Sequence, residues 1–313
     1  MSPRRLAPFL FALALVSAAC GSAAPSAAPS VSGAWGPPAT PPKLTPYLVS
    51  NAIAKGKARI LFLYLDGKNA VASAPDRTAK VAFYDLARDP NTAAATADGA
   101  FVWTVETEPK RGMYVLDVDL PQAGTWGAEF TTEAPGSPAE TTRLTFSVLD
   151  STPAIAVGQK APASKTPTAA DVGGDLTKIS TDTHPDPAFY QTSVADALAA
   201  HKPFVLVFAT PKFCTSQQCG PTLDHFKPIA AAHPEVTFIN AEPYQLKKVD
   251  GSLQPVLDAG NQLQATTVTD QWGLLSEPWI FAVDRNGIVR GSYEATITPA
   301  ELAAILPVIT AGG

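Results

Sequence analysis

The chain has 313 residues, of which 46% are hydrophobic, 30 are proline and three are cysteine, with a formal net charge of −5. That length sets a prior of about two domains, the apolar content supplies their cores, and the acidic balance argues against a nucleic-acid partner. Proline is well above its average of about 5% and gathers between the patterned stretches, as expected of folded units joined by linkers.

At the N-terminus Arg4 and Arg5 precede an apolar run, Leu6 to Val16, too short to cross a bilayer as a stable helix. The run ends at Ser17-Ala18-Ala19-Cys20-Gly21, which resembles a bacterial lipobox. The resemblance implies a signal peptide over 1–19 and lipidation of Cys20. Acyl chains, at about 0.8 kcal/mol per buried CH2, would then hold the protein to the outer face of a cell membrane. An ordinary secretory signal cut after Ala19 is the alternative. Residues 20–45, rich in Ala, Pro and Ser, cannot bury enough apolar surface to fold and are expected to form an extended tether. Setting Cys20 aside leaves Cys214 and Cys219, an even pair for which a disulfide is the default in an oxidising compartment.

From 46 to 150 the pattern changes to short strands. Candidates are Ala58–Asp66, Ala79–Leu86, Gly99–Glu108, Gly112–Leu120, Gly124–Thr132 and Thr142–Leu149, separated by turn signals such as Asp66-Gly67 and Ala123-Gly124. Tyr114, Leu116, Val118 and Leu120 alternate onto one face. Six or seven strands over about 100 residues, without helical periodicity, predict an all-β immunoglobulin-like sandwich. Trp103 and Trp126 are expected in its core. Leu120-Pro-Gln-Ala-Gly-Thr-Trp126 resembles the strand–turn–strand of copper-resistance-type sandwiches, but this domain has no His and no Cys, so their copper site is not expected. Residues 151–183, rich in Pro, Ser and Thr, read as a linker.

From 184 to 313 the pattern turns α/β. A helix is predicted over Pro187–Ala200, then a buried strand, Phe204–Phe208, and a helix from about Gly220 to Ala232. A second strand follows at Val236–Asn240, joined to the first by a right-handed crossover. Residues 242–270 read as a solvated loop. Trp279–Val283, the turn Asp284–Gly287 and Ile288–Tyr293 form a hairpin, and Pro299–Ile309 a closing helix.

Between the first strand and its helix stand Cys214-Thr-Ser-Gln-Gln-Cys219-Gly220-Pro221. Cysteines at the start of a helix meet unpaired N–H groups and a positive dipole end, which favour the nucleophilic thiolate. This stretch, with Pro278 opening the later strand, resembles the thioredoxin-like superfamily over about Asp186 to Ile309. Val157 to Pro162 is similar to the lead-in of its redoxin members. The resemblance implies a thioredoxin-like fold, catalytic Cys214 and Cys219, and a cis Pro278 that exposes the backbone of Glu277 to an extended substrate. Two registers stay open: Cys214 as the first redox cysteine with Cys219 its partner, or Cys219-Gly220-Pro221-Thr222 over the family motif with Thr222 in place of the second cysteine.

Several family features are missing. No acid lies on 204–208, where thioredoxins carry a proton-relaying Asp. Pro211 and Glu277 stand where a peroxiredoxin would place a hydroxyl residue and an arginine. The expected function is a membrane-anchored thiol–disulfide oxidoreductase acting on extracytoplasmic protein thiols, with no cofactor and no metal. The alternatives are a thiol peroxidase like the Q-type peroxiredoxins, or a non-catalytic binding lipoprotein whose disulfide is a staple.

Overall fold

The computed structural model describes residues 35–36, 38–106 and 108–311. The chain divides into two units, Met1–Gly36 and Pro37–Gly313, and all the elements belong to the second. The expected signal peptide, Cys20 and most of the expected tether lie outside the described residues. The second unit is mostly β, in several sheets.

Among the described residues its first half contains nine strands: β1 (Leu44–Leu48), β2 (Ile53–Ala54), β3 (Gly56–Asp66), β4 (Lys80–Asp85), β5 (Ala95–Asp98), β6 (Ala100–Val105), β7 (Arg111–Leu120), β8 (Gly124–Ala134) and β9 (Ser137–Leu149). They form two sheets, β1-β3-β7-β6 and β2-β9-β8-β4-β5. Their facing sides share one core, because the period of two sends every second residue inward. Tyr114, Leu116, Val118 and Leu120 of β7 meet Phe83, Trp126 and Phe130 of the other sheet there. Trp126 is buried, its indole N–H donating to the Gln122 carbonyl at 2.9 Å. Trp103, expected in the core, is instead 39% exposed. It sits on β6, the end strand of its sheet, beside a register shift between Trp103 and Val105, and a bulge on an edge re-aims side chains outward.

The second half begins with short 3-10 turns at Ala170–Val172, Leu176–Lys178 and Pro187–Tyr190. There follow α1 (Val194–Ala199), β10 (Phe204–Phe208), α2 (Cys219–Ala232), β11 (Thr237–Ala241), β12 (Leu246–Val249), β13 (Ser252–Pro255), α3 (Thr267–Trp272), β14 (Trp279–Val283), β15 (Val289–Glu294) and α4 (Pro299–Thr310). One sheet has the order β11-β10-β14-β15, with β10 parallel to β11 and antiparallel to β14. All five residues of β10 are at most 1% exposed, which explains its unbroken apolar run: both faces are covered. Val205 and Val207 pack with α2 and α4, while Phe204, Leu206 and Phe208 pack with α1 and α3.

Three sequence expectations change. The helix over 187–200 is two pieces, because Ser193 caps a new start by accepting from the Asp196 N–H at 3.1 Å. The loop over 242–270 contains the β12–β13 hairpin. Residues 151–183, read as a linker, are packed on the second half. Ala154, Ser164, Thr166, Ser180 and Thr181 are buried, and the Trp272 indole donates to Ser164 Oγ at 3.2 Å. Polar composition signalled irregular backbone there, but irregular backbone can be buried where its polar groups find partners.

The two halves meet through Arg59 of β3. Its guanidinium grips the Glu301 carboxylate with Nε and Nη2, the latter at 3.0 Å, donates to the Thr296 carbonyl at 2.9 Å, and lies over the Tyr293 ring. Glu294 accepts from the Asn51 side-chain amide and the Ser276 hydroxyl, both at 2.7 Å. The Arg59–Glu301 pair is only partly exposed, so its loss strands a half-desolvated carboxylate. Arg59→Ala is expected to cost about 1–3 kcal/mol in urea unfolding, and Arg59→Lys to recover only part, since an ammonium cannot make the two-pronged contact. Equal stability of Arg59→Ala and wild type would show that this contact does not join the halves.

Candidate functional site

β10 runs out through Ala209 and Thr210, both wholly buried, and the chain then turns, the Phe213 N–H donating back to the Thr210 carbonyl. Cys214 follows in the loop and Cys219 opens α2. The two form a disulfide with Cα atoms 6.1 Å apart, inside the roughly 7 Å reach of such a bond. Two cysteines five residues apart on one regular helix would stand farther apart than that, so the bond requires Cys214 to lie off the helix. Gln217 makes the turn possible by adopting φ 59°. The helix begins two residues ahead of Pro221, which falls in its first turn, where a missing N–H costs no helical bond.

The two sulfurs have different surroundings. Cys219 is fully buried in the core with Leu223 and Phe226, whereas Cys214 is half-buried. The Cys219 backbone N–H points at Cys214 Sγ at 3.3 Å, and the Ser216 hydroxyl lies at the same distance. The Cys219 N–H can stabilise negative charge on that sulfur once the bond opens.

Pro278 follows a cis peptide at the head of β14. The Ser216 hydroxyl bridges the two parts of the site, donating to the Glu277 carbonyl at 3.3 Å. The Glu277 side chain points inward, away from the backbone expected to meet substrate: it is buried and accepts from the Tyr244 hydroxyl. Burial pushes this carboxyl up, while Tyr244 and the Thr215 backbone N–H pull it partly back. Tyr244 is raised as well, first by burial and then by the carboxylate beside it.

A second buried acid was not anticipated. Glu242, directly after β11, accepts from the Thr181 N–H at 2.6 Å and its hydroxyl at 2.7 Å, while its Oε2 is enclosed without a hydrogen-bond partner. Burial pushes it up to about 7, against the opposing pull of Thr210 and Thr181. Thr181 Oγ1 also accepts from the Lys212 N–H at 3.3 Å, so Glu242 braces the cysteine loop from below. The only sequence signal for it was an acid immediately after an apolar strand beside the motif strand. Lys212 Nζ donates to Ser252 Oγ at 2.6 Å and the Leu253 carbonyl at 2.9 Å, tying the β12–β13 hairpin to the same loop. From the first half of the unit, Arg111 Nη1 donates to Gln217 Oε1 at 2.9 Å. Nothing in the local sequence of either residue marks that contact.

Among the described residues no group of three or more His, Cys, Asp or Glu could hold a metal ion, and no helix is long and apolar enough to cross a membrane.

No protein-family model matches the sequence, and no curated protein matches it. Among solved structures the chain is similar to a DUF4426 family protein from Pseudomonas aeruginosa PAO1, at 15% identity and TM-score 0.22, covering 31% of this chain and 78% of that one. It is also similar to MtrC from Shewanella baltica OS185, at 11% identity and TM-score 0.25, covering 38% of this chain and 24% of that one. At these TM-scores neither likeness bears on fold or function.

Proposed function

We propose that the protein is a lipid-anchored, extracytoplasmic thiol–disulfide oxidoreductase, with an immunoglobulin-like sandwich carried before a thioredoxin-like redox domain. The redox reading is carried by one observation: Ser216 joins Cys214 Sγ to the Glu277 carbonyl, so the half-exposed sulfur lies beside the residue pair Glu277–Pro278. The sheet order β11-β10-β14-β15, with the disulfide between β10 and α2, supports the thioredoxin-like assignment. The anchor rests on Ser17-Ala18-Ala19-Cys20.

In the reduced protein the Cys214 thiolate attacks one sulfur of a substrate disulfide. That bond breaks, and the departing sulfur takes up a proton as a thiol. Cys219 then gives up its proton and attacks Cys214, closing the Cys214–Cys219 bond and releasing the second substrate thiol. Two electrons and two protons pass from the protein dithiol to the substrate, and the reverse sequence oxidises a substrate dithiol. Cys214 is the sulfur that meets substrate, because it is the more exposed and accepts from the Cys219 backbone N–H.

The test is the reduction potential of the pair in glutathione buffers, with limiting alkylation mapped by mass spectrometry. A potential above about −300 mV and preferential labelling of Cys214 are expected. A lower potential with very slow labelling of both cysteines would mean a structural staple, and preferential labelling of Cys219 would reverse the roles.

A further inference from the structure

A cleft of about 600 Å³ separates β6 from α2. One wall is an unbroken run of the chain, residues 101–106; the other is Pro221, Thr222, His225 and Phe226 of α2, with Ile297 and Pro299 at the floor. Successive side chains of a strand point to opposite faces, so a single cleft can be lined by six consecutive residues only along the strand's edge. β6 is the end strand of β1-β3-β7-β6, and among the described residues no strand pairs with its outer side. An edge of this kind presents N–H and C=O groups ready to pair with another chain.

From these observations we infer that the edge of β6 is a docking strand for an extended, unfolded polypeptide, which adds alongside it by β-augmentation. The inference rests on the oxidoreductase reading, to which it adds a substrate class. The direction of the strand connects the two sites. Val105, at the end of β6, pairs with Arg111, and Arg111 holds Gln217 between the two cysteines. The α2 wall begins two residues after Cys219. A polypeptide laid along β6 therefore leaves the cleft at the disulfide. Trp103, 39% exposed, offers an apolar contact to its side chains. Of the charged residues at the cleft, Asp224 is paired with Lys227 at 2.7 Å, and Lys110 Nζ lies 5.8 Å from the centre of the Trp103 ring, so pairing with the strand's backbone rather than charge selects the chain.

Thr104 lies at the register shift and is skipped in the β6–β7 register, though its hydroxyl donates to the Arg111 carbonyl at 3.2 Å. Its replacement by proline alters the edge at the cost of that side-chain bond, without removing a registered rung of the ladder.

The experiment uses the full chain in its disulfide form. The probe is reduced, carboxamidomethylated ribonuclease A, a basic, permanently unfolded polypeptide without free thiols; native ribonuclease A is the control. Amide hydrogen exchange over 100–106 is expected to slow by about tenfold with the unfolded probe and not with the folded one. Trp103→Lys and Thr104→Pro should each reduce that protection to less than about twofold while leaving exchange in β10 and β14 unchanged. Protection confined to 275–278, or none on β6, overturns the inference. Because the probe has no thiol, this result is independent of the reduction potential: a structural-staple potential defeats the enzyme reading, and an unprotected β6 defeats the docking strand.

Discussion

Gly273→Ala is expected to destabilise the protein by on the order of 3 kcal/mol, among the largest effects of any single methyl group in it. Gly273 ends α3 at φ 66°, and a Cβ there would stand 1.9 Å from the Pro153 carbonyl oxygen and 2.5 Å from its carbon. Both atoms are backbone, so neither can rotate aside. The Ile155 N–H donates to the Trp272 carbonyl at 3.2 Å, which fixes the same approach from the other side. The substitution must separate 151–166 from α3 and disturb the Ser164–Trp272 contact. Gly251→Ala is the control, because Gly251 also has a positive φ, 80°, but nothing within 4 Å; it should show only the left-handed backbone cost of about 1 kcal/mol. Urea unfolding measures both, and hydrogen exchange over 153–166 should quicken only in Gly273→Ala. Equal losses in the two variants would mean that the segment does not rest on α3.

Glu242 should make stability fall as pH rises towards neutrality. The carboxyl titrates near its ordinary value of 4.5 when unfolded and at about 7 when folded. Between those values the folded state binds more protons than the unfolded state, so folding is progressively penalised with rising pH. The penalty begins above 4.5 and is complete once pH has passed through about 7. Its size, from the difference between the two values, is on the order of 3 kcal/mol. Glu242→Gln keeps an oxygen for Thr181 and carries no charge to desolvate, so it should be more stable than wild type at pH 8 and show a flatter profile between pH 5 and 7. A wild-type profile that is already flat, or a glutamine variant less stable at pH 8, would show that the carboxylate is not enclosed as described. Glu242 reaches the cysteine loop through Thr181 and Lys212, so hydrogen exchange at 210–213 should follow the same pH window.

How much of this was legible beforehand depended on whether the signal was local. The continuous apolar run of β10 and the alternation along β7 announced two buried strands, because burial on both faces and burial on one face leave different periods in the residues themselves. Cysteines after an apolar run and before a helix start marked the redox candidate in the same way. Trp103 was misplaced because a large aromatic residue on a strand looks alike in a core and on an edge; sheet order decides, and sheet order is a long-range property. The packing of 151–183 was hidden for a related reason. Its hydrogen-bond partners, Trp272, Gln271 and Glu242, are more than sixty residues away, so its composition could report only irregular backbone.

The sequence by itself determined the chemistry available: two cysteines that can bridge once the first lies off the helix, with Glu277–Pro278 waiting in a distant strand. Only the tertiary structure decided which groups that chemistry meets. Ser216 between Cys214 and Glu277, Tyr244 on Glu277, Glu242 beneath the loop and Arg111 on Gln217 are each brought together across 61, 33, 61 and 106 residues of chain respectively, counting Glu242 to Thr181. Contacts over such separations are selected by how sheets and helices close on one another, and no short-range pattern of residues encodes them.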